Sequence, residues 1–235
     1  MDPKLNMSIG TPVTIREKVY KTIRDMILNG DMSPGDRVFE SRLAGQIKTS
    51  RTPVREALHM LEREGLLEAI PRVGYRIREI KWDEVEEICE IRAVNEILAA
   101  RWAMKRISSK ELQALEKNVE QGEKEVRTGD PKAFVDRDEE FHDIFARASG
   151  SERLLELCEQ LRRHMLRYRI ESLYLPETAL HAIEDHRRIL ACIKAKDEQG
   201  VDAAIKEHLD FVKSSVRRYA FEEKKKKKQS RAENE

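Results

Sequence analysis

The carboxyl-terminal part of this 235-residue chain carries one helix signal after another. From Asp83 onward, apolar residues recur at three- and four-residue spacing, and helix breakers separate the segments. Ser108 with Glu111 and Asp130 with Pro131 are typical helix starts. The spacing predicts helices near residues 83–106, 109–127, 131–148, 151–174, 178–196 and 199–220. Six consecutive helices without a strand signal predict an all-helical bundle for residues 81–220.

The first 80 residues follow a different pattern. Thr14 with Glu17 is a capping box before an amphipathic helix, and a second, short helix is expected around residues 40–47. A third helix begins near Ser50, and Leu66–Ile70 and Tyr75–Ile80 resemble two short strands joined by a turn. Three helices followed by a hairpin is the order of a winged helix-turn-helix, which we predict for residues 14–80. The predicted fold class is therefore mainly α, with a winged helix-turn-helix preceding a helical bundle.

Charge is distributed unevenly along the chain, although the net charge is only +1. Residues 1–80 carry 14 Lys and Arg against 11 Asp and Glu, and residues 221–235 carry 6 against 4, so residues 81–220 are left at −4. This gradient favours contact with a polyanion at the amino-terminal part. We predict a flexible leader at 1–13 and a disordered, Lys-rich tail at 221–235. An auxiliary phosphate contact through Lys224–Lys228 is the alternative for the tail.

Composition argues against membranes and disulfides. No apolar run approaches the roughly 20 residues that span a bilayer, and the amino terminus lacks the order of a signal peptide. Three widely spaced cysteines, Cys89, Cys158 and Cys192, fit neither a disulfide framework nor a metal knuckle. We therefore expect a cytoplasmic protein that does not bind membranes.

The third helix of the front domain has the chemistry of a DNA-contacting element. Hydroxyl groups and guanidinium groups occur together at its start, where the free N–H groups of a helix already favour phosphate. Arginine there can contact guanine or clamp a phosphate. The residues concerned are Ser50, Arg51, Thr52 and Arg55, with Arg72, Gly74 and Arg76 on the hairpin. The alternative is that the arginines only solvate an exposed helix face.

Residues Ser33 to Ile80 resemble the DNA-binding domain of the GntR family of bacterial transcription regulators. The shared features are the Pro34-Gly35 turn, Leu43-Ala44, the helix from Ser50 to Leu58, and the Gly74-Tyr75 wing. The resemblance implies that Ser50, Arg51, Thr52 and Arg55 contact DNA, with Gly74 in the wing. The family usually has Gly-Val in the turn between the two reading helices. Here the pair is Lys48-Thr49, which is strained if φ is positive.

Histidines in the helical part can be tested against a metal site. Asp138 and His142 are four residues apart on one predicted helix and share a face. His186 and His208 lie on two later helices. Three imidazoles and a carboxylate suit a divalent transition ion, namely zinc, nickel, manganese or iron. The alternative is that these are unrelated polar positions.

The helical part resembles the FCD type of effector domain, found in the FadR subfamily of GntR regulators. Arg92 with Glu96 is similar to its Arg-x-x-x-Glu element, and Asp138 to His142 to its Asp-x-x-Phe-His element. Asp185-His186 and then His208 fit its closing pattern of two histidines. In the metal-containing branch, the resemblance implies that Asp138, His142, His186 and His208 are the ligands. The metal would then be either structural or ligand-sensing.

A small carboxylate is the expected effector, because a metal with open positions attracts carboxylates. Arg92 either neutralises a second carboxylate of that effector or simply pairs with Glu96. We thus predict a ligand-responsive regulator that binds double-stranded operator DNA as a homodimer. The alternatives are a metal-dependent enzyme acting on a small organic acid and an architectural DNA binder. Neither the metal, the effector, the operator nor the direction of regulation is specified by the sequence.

Overall fold

The protein is described by a computed structural model covering residues 14–28, 31–79, 81–130, 133–173 and 175–222, without the side chains of 28 and 166–173. The backbone divides into two compact units between Glu79 and Ile80, next to the boundary expected after residue 80. The predicted leader and residues 223–235 of the predicted tail lie outside the described residues. Each unit is described separately below.

Among its described residues, the first unit contains three helices and a small sheet, as the winged helix-turn-helix prediction requires. The elements are α1 (Ile15–Leu28), β1 (Arg37–Val38), α2 (Glu40–Ile47), α3 (Arg51–Arg63), β2 (Leu67–Ile70) and β3 (Gly74–Ile77). The sheet is antiparallel with the order β1-β3-β2. The sequence predicted only the β2–β3 hairpin and placed its second strand up to residue 80. It missed β1, because two residues carry no periodicity and their pairing with β3 is non-local.

Local signals explain where these helices begin and how they pack. The capping box before α1 is formed: the Thr14 amide donates to Glu17 Oε2 at 2.8 Å, and the Glu17 amide donates to Thr14 Oγ1 at 3.2 Å. Helix α1 packs on α3, and Ile23 of α1 and Leu58 and Leu61 of α3 are all fully buried. This packing fixes α3, and hence the predicted DNA-contacting residues at its start.

The turn between α2 and α3 has the strained residue that the sequence suggested. Lys48 ends α2 with φ of +55°, in the left-handed region. Its neighbour Thr49 donates its amide to the carbonyl of Ala44 at 3.0 Å, which satisfies one of the helix-end carbonyl groups. The turn therefore keeps the shape that glycine usually provides, at the cost of a less favoured backbone conformation for lysine.

In the part of the chain that the structure describes, the second unit is built from six helices and a π-helical segment. The elements are α4 (Trp82–Arg106), α5 (Ser109–Arg127), α6 (Ala133–Ala148), α7 (Glu152–Leu173), α8 (Pro176–Ala195), α9 (Glu198–Val216) and the π-helical segment Arg217–Glu222. The Ser108–Glu111 capping box at the start of α5 is confirmed. Phe221, assigned to the tail from sequence, packs edge-to-face on Trp82 with ring centroids 5.6 Å apart. The ordered bundle therefore reaches beyond residue 220.

The core of this unit is formed by faces at helical spacing, as the all-helical prediction requires. On α6, Phe134, Phe141 and Phe145 are buried, and Asp138 and His142 lie on the same inward side. The polar pair is therefore placed inside the bundle by the same repeat that buries the phenylalanines. Within the described residues, no helix is long and apolar enough to cross a membrane.

Candidate functional site

Four polar side chains from three helices meet inside the helical unit. Asp138 and His142 come from α6, His186 from α8 and His208 from α9, and all four are buried. One potential ligand atom from each lies within 4.8 Å of those from the others. The structure thus brings together all four residues that the sequence singled out for a metal.

The three imidazole rings surround a common point. Their centroids are 5.1 Å apart for His142–His186, 5.3 Å for His142–His208 and 5.2 Å for His186–His208. Three imidazoles that bind one ion through bonds of about 2.1 Å have ring centres roughly 5 Å apart. The ring of His186 is held in place by stacking on Phe141, at a centroid distance of 4.0 Å and an interplanar angle of 6°.

Two of these imidazoles, those of His142 and His208, have a carboxylate close to Nδ1. Nδ1 of His142 is 3.1 Å from Oε2 of Glu96, and Nδ1 of His208 is 3.3 Å from Oδ2 of Asp185. An ionised carboxylate can only accept, so these contacts favour the tautomer that carries its proton on Nδ1 and leaves the Nε2 lone pair available. Within the described part of the chain, Nε2 of His208 and both ring nitrogens of His142 have no hydrogen-bond partner, so the approach of Glu96 to His142 is an ion-pair contact whereas that of Asp185 to His208 is a hydrogen bond.

Burial tunes the protonation of this cluster toward metal binding. Burial lowers the pKa of His142 to about 4, so the imidazole is neutral at pH 7. Burial alone would raise the pKa of Glu96, but the charge of Arg92 and the neighbouring His142 hold it well below its usual range. A neutral imidazole is the form of His142 that a divalent ion binds. Together with the convergence of the four buried side chains, this donor set fits a metal.

The sequence reasoning missed the two supporting carboxylates. Glu96 was noted only as a partner of Arg92, and Asp185 only as the neighbour of His186 in the FCD pattern. Contacts between α4 and α6, and between α8 and α9, bring these carboxylates to His142 and His208. Spacing along a single helix cannot reveal such contacts.

Arg92 makes the intrahelical pair that was one of its two expected roles. Its Nε donates to Oε1 of Glu96 at 2.9 Å, and both side chains are fully buried. Because Glu96 also faces His142, Arg92 is linked to the metal cluster through Glu96. Binding of an effector by Arg92 stays a prediction.

The predicted DNA-contacting residues lie at the start of α3. Ser50 is the N-cap residue, and its side chain makes no capping hydrogen bond within the described residues. Arg51, Thr52 and Arg55 are exposed on the first turns of the helix. The structure therefore presents two hydroxyl groups and two guanidinium groups to solvent at one helix end, an arrangement suited to phosphate.

Glu40 contacts both arginines, which no pattern in the sequence predicted. Arg55 donates to both carboxylate oxygens of Glu40, through Nε at 2.9 Å and Nη2 at 2.8 Å. Nη2 of Arg51 lies 3.5 Å from the same carboxylate. The hydrogen bonds and charge of Arg55 lower the pKa of Glu40 and keep it ionised. The bidentate contact fixes the plane of the Arg55 guanidinium.

Gly74 has a structural role in the sheet. Its φ is +141°, and a Cβ at this position would lie 2.8 Å from the carbonyl oxygen of Val38. A side chain at residue 74 would therefore disturb the pairing of β1 with β3. On the same strand, Arg76 pairs across the hairpin with Glu68. The predicted contact of Gly74 with DNA stays a prediction.

Comparison with known proteins agrees with this architecture. Residues 15–77 match the bacterial regulatory proteins of the gntR family, and residues 87–211 match the FCD domain. The HTH-type transcriptional regulator YdhC of Bacillus subtilis (strain 168) is 30% identical over 206 residues, which span 87% of this chain and 92% of YdhC. The chain belongs to the GntR family.

Solved structures support the same assignment. E. coli McbR/YncC has a TM-score of 0.73 at 26% identity, with 88% of this chain and 99% of that chain covered. The metal-free FCD domain of TM0439 has a TM-score of 0.51 at 25% identity, covering 61% and 98% of the two chains. This GntR protein is therefore a DNA-binding transcriptional regulator with an FCD effector domain, and it is not an enzyme. The predicted fold class is confirmed.

Proposed function

We propose that this GntR regulator holds a divalent transition ion at Asp138, His142, His186 and His208 and binds a small carboxylate effector there. Effector binding changes the affinity of the first unit for operator DNA. The observation that carries this proposal is the buried convergence of the four side chains within 4.8 Å. Energetic coupling between an effector site and a DNA site is typically about 1–3 kcal/mol, or 5- to 150-fold in affinity.

The donor set supports the class of metal. Three imidazole nitrogens with one carboxylate are borderline ligands that zinc, nickel, manganese and iron all accept. FCD domains are known to bind metals, and the FCD domain of TM0439 is described as metal-free. An ion bound here supplies a Lewis acid that attracts a carboxylate oxygen. The carboxylates of Glu96 and Asp185 lie 3.1 and 3.3 Å from Nδ1 of His142 and His208, which supports a tautomer with the Nε2 lone pair available for the ion.

Operator binding is assigned to the exposed start of α3. Ser50, Arg51, Thr52 and Arg55 would contact DNA there, and the wing that contains Gly74 would contact the neighbouring groove or backbone. The exposure of these side chains supports the assignment. Because operator DNA is the partner, we expect the protein to act in the bacterial cytoplasm.

We infer that the protein works as a homodimer, since helix-turn-helix proteins read two-fold operators with matching symmetry. The helical unit offers a surface for this. Ile91, Val94 and Leu98 lie along one face of α4 with exposures of 42%, 69% and 37%. A second copy would cover this apolar stripe. Light scattering should give a dimer for the wild type and a monomer for Val94→Glu, whereas Ile15→Glu, also at an exposed apolar residue, should remain dimeric.

Metal content tests the centre directly. Untagged wild type should contain about one transition ion per chain by mass spectrometry, and His142→Ala should lose it. His59→Ala is the matched control, because His59 is exposed in the first unit and should leave the metal in place. Wild type that takes up no ion when zinc, nickel, manganese or iron is supplied would contradict the four-ligand assignment.

Effector response tests the sensing role. A duplex selected from a random library by the protein itself provides the DNA, and fluorescence anisotropy measures its affinity. Small carboxylates should shift this affinity at least fivefold for the metal-loaded protein and leave it unchanged for His142→Ala. If the bound metal has no effect on the response to carboxylates, the metal is structural. That result would refute the sensing proposal.

A further inference from the structure

Residues 224–231 form a basic segment that has no role in the function proposed above. They carry six positive charges, five of them on Lys224–Lys228, and no negative charge. The same eight residues include no apolar or aromatic side chain. Neighbouring lysines repel one another, so a segment of this composition is stabilised by contact with a polyanion.

The structure fixes the point from which the basic segment starts. Phe221, three residues before Lys224, packs edge-to-face on Trp82 with ring centroids 5.6 Å apart. Phe221 and Ala220 also pack against a buried apolar cluster that α4, α7 and α9 share. The guanidinium carbon of Arg217 lies 5.1 Å from the centre of the Trp82 ring. The π-helical segment is therefore held against the first residue of α4.

This attachment point is close to the DNA-binding unit along the chain. Trp82 is three residues after Glu79, the last residue of that unit, so their Cα atoms are at most about 11 Å apart. Lys224 follows Phe221 by the same number of residues and has the same reach. The covalent chain and the Phe221–Trp82 contact therefore keep Lys224 within roughly 40 Å of Glu79 in every arrangement of the two units.

Duplex DNA bound by the first unit offers phosphates throughout this range. It carries one negative charge per roughly 1.7 Å of its axis. Contacts with phosphates require no particular base sequence, so the lysines need not be placed precisely. A segment that is tethered beside the duplex also binds at a high effective concentration, because its binding is intramolecular.

An acidic depression on α6 is the competing partner for the lysines within the protein. Most of the residues that line it are acidic, and Glu140 and Asp143 are among them. Glu140 already pairs with Arg137 at 2.8 Å, and Asp143 already pairs with Arg162. These ion pairs weaken the attraction of the depression for lysine, whereas DNA phosphates release counterions when lysine binds. DNA is therefore the favoured partner.

We propose that Lys224–Lys228 form a second DNA contact, which binds the phosphate backbone beside the operator site without regard to sequence. The contact adds affinity for any duplex and leaves discrimination between sequences to α3 and the wing. The inference rests on DNA binding by the first unit and is independent of the metal and its effector.

The salt dependence of DNA binding by the full chain tests this contact. Fluorescence anisotropy gives the affinity for the selected duplex and for a random-sequence duplex between about 50 and 200 mM potassium chloride. The variant K224Q/K225Q/K226Q/K227Q/K228Q should reduce the slope of log affinity against log salt by roughly 2–4, because each phosphate contact contributes about 0.9. At the lowest salt concentration, its affinity should fall about tenfold or more for both duplexes alike. The corresponding five Lys→Arg substitutions should preserve the slope and the affinity.

A matched control removes the same charge from another part of the chain. It replaces five exposed lysines of the helical unit with glutamine, namely Lys110, Lys117, Lys124, Lys196 and Lys206. This variant should change the slope by less than about 1. An equal loss of slope in the control would show that net charge, rather than the tethered segment, acts on DNA, and would overturn the proposal.

Two further results separate the remaining explanations. Affinity that is unchanged or higher after the five tail substitutions would also overturn the proposal, as expected if the lysines bind the acidic depression instead. Urea unfolding of the tail variant should match that of wild type, so that its loss of affinity reflects DNA contact. Wild type that binds neither duplex would refute operator binding as well as the second contact.

Discussion

Each unit of the protein contains an arginine–glutamate pair of similar geometry in opposite surroundings. In the helical unit, Arg92 and Glu96 are 0% and 1% exposed. In the DNA-binding unit, Arg55 and Glu40 are 55% and 18% exposed, although their bidentate hydrogen bonds are at least as well formed. Water screens the second pair and is excluded from the first. The same chemistry therefore has different consequences in the two units.

The comparison shows that burial, more than hydrogen-bond geometry, decides what such a pair does. A buried charge without its partner is strongly unfavourable, so Arg92 and Glu96 depend on one another for the stability of the fold. An exposed pair contributes little to stability and is free to exchange partners. Arg55 can therefore leave Glu40 for a DNA phosphate, whereas Arg92 keeps Glu96.

Removing the buried carboxylate should have the largest effect. Glu96→Gln leaves the Arg92 charge without its partner and should lower the free energy of unfolding of the helical unit by about 3–5 kcal/mol. Both tryptophans, Trp82 and Trp102, lie in this unit, so urea unfolding followed by tryptophan fluorescence reports on it. A chelator should be present to exclude effects of metal loss.

Glu116→Gln is the matched control for this experiment, because Glu116 pairs with Lys194 on the surface of the same unit. It should change stability much less than Glu96→Gln. Equal effects of the two substitutions would show that burial does not distinguish these pairs.

Substitution of Gly74 in the wing should give the next largest loss of stability. Gly74→Ala forces a non-glycine residue to φ of +141° and brings its Cβ to 2.8 Å from the Val38 carbonyl oxygen. The strain should cost about 1–3 kcal/mol in the DNA-binding unit. We expect at least a tenfold loss of affinity for the selected duplex and unchanged metal content. Gly45→Ala, where a Cβ would meet nothing within 4 Å, should bind DNA normally.

Relieving the strain at Lys48 should raise stability, by less than the substitution at Gly74 lowers it. Lys48→Gly places glycine at φ of +55° and should stabilise the end of α2 by about 1 kcal/mol. Hydrogen exchange at the Thr49 amide, which donates to Ala44, should slow about fivefold. Lys48→Ala removes the same charge without relieving the backbone, so exchange that slows equally in both variants would refute the strain explanation.

The exposed pair should give the smallest effect on stability. Glu40→Gln should leave hydrogen exchange in α3 unchanged, because solvent already screens the ion pair. It also removes a negative charge next to Arg51 and Arg55, so affinity for random-sequence duplex at low salt should rise roughly twofold to fourfold. A marked loss of protection in α3 would show that the exposed pair is needed for the fold.

Local signals in the sequence predicted the helices closely. The helix expected at 109–127 is α5 (Ser109–Arg127), and the one expected at 83–106 is α4 (Trp82–Arg106). The capping boxes at Thr14 and Ser108 formed as expected because all their atoms lie within four residues of one another. The four predicted metal ligands also met, since each lies on an inward helix face.

Contacts between elements could not be predicted from the sequence. Strand β1 exists only through its pairing with β3, and Glu40 reaches Arg55 only because α2 packs on α3. The carboxylates behind His142 and His208 and the burial of Arg162 depend on packing within the bundle in the same way. A single charged residue on a helix carries no sign of which neighbour will face it.

Helix α4 is long enough to separate Arg92 from the start of the helical unit by several turns. Its 25 residues form a rod about 37 Å long, and Arg92 lies ten residues, roughly 15 Å, from its first residue, Trp82. If effector binding tilted α4 about Arg92, Trp82 would be displaced in proportion to this distance. Trp82 is only three residues after Glu79, where the DNA-binding unit ends. Along the chain, the first residue of α4 therefore follows the unit that reads DNA almost directly.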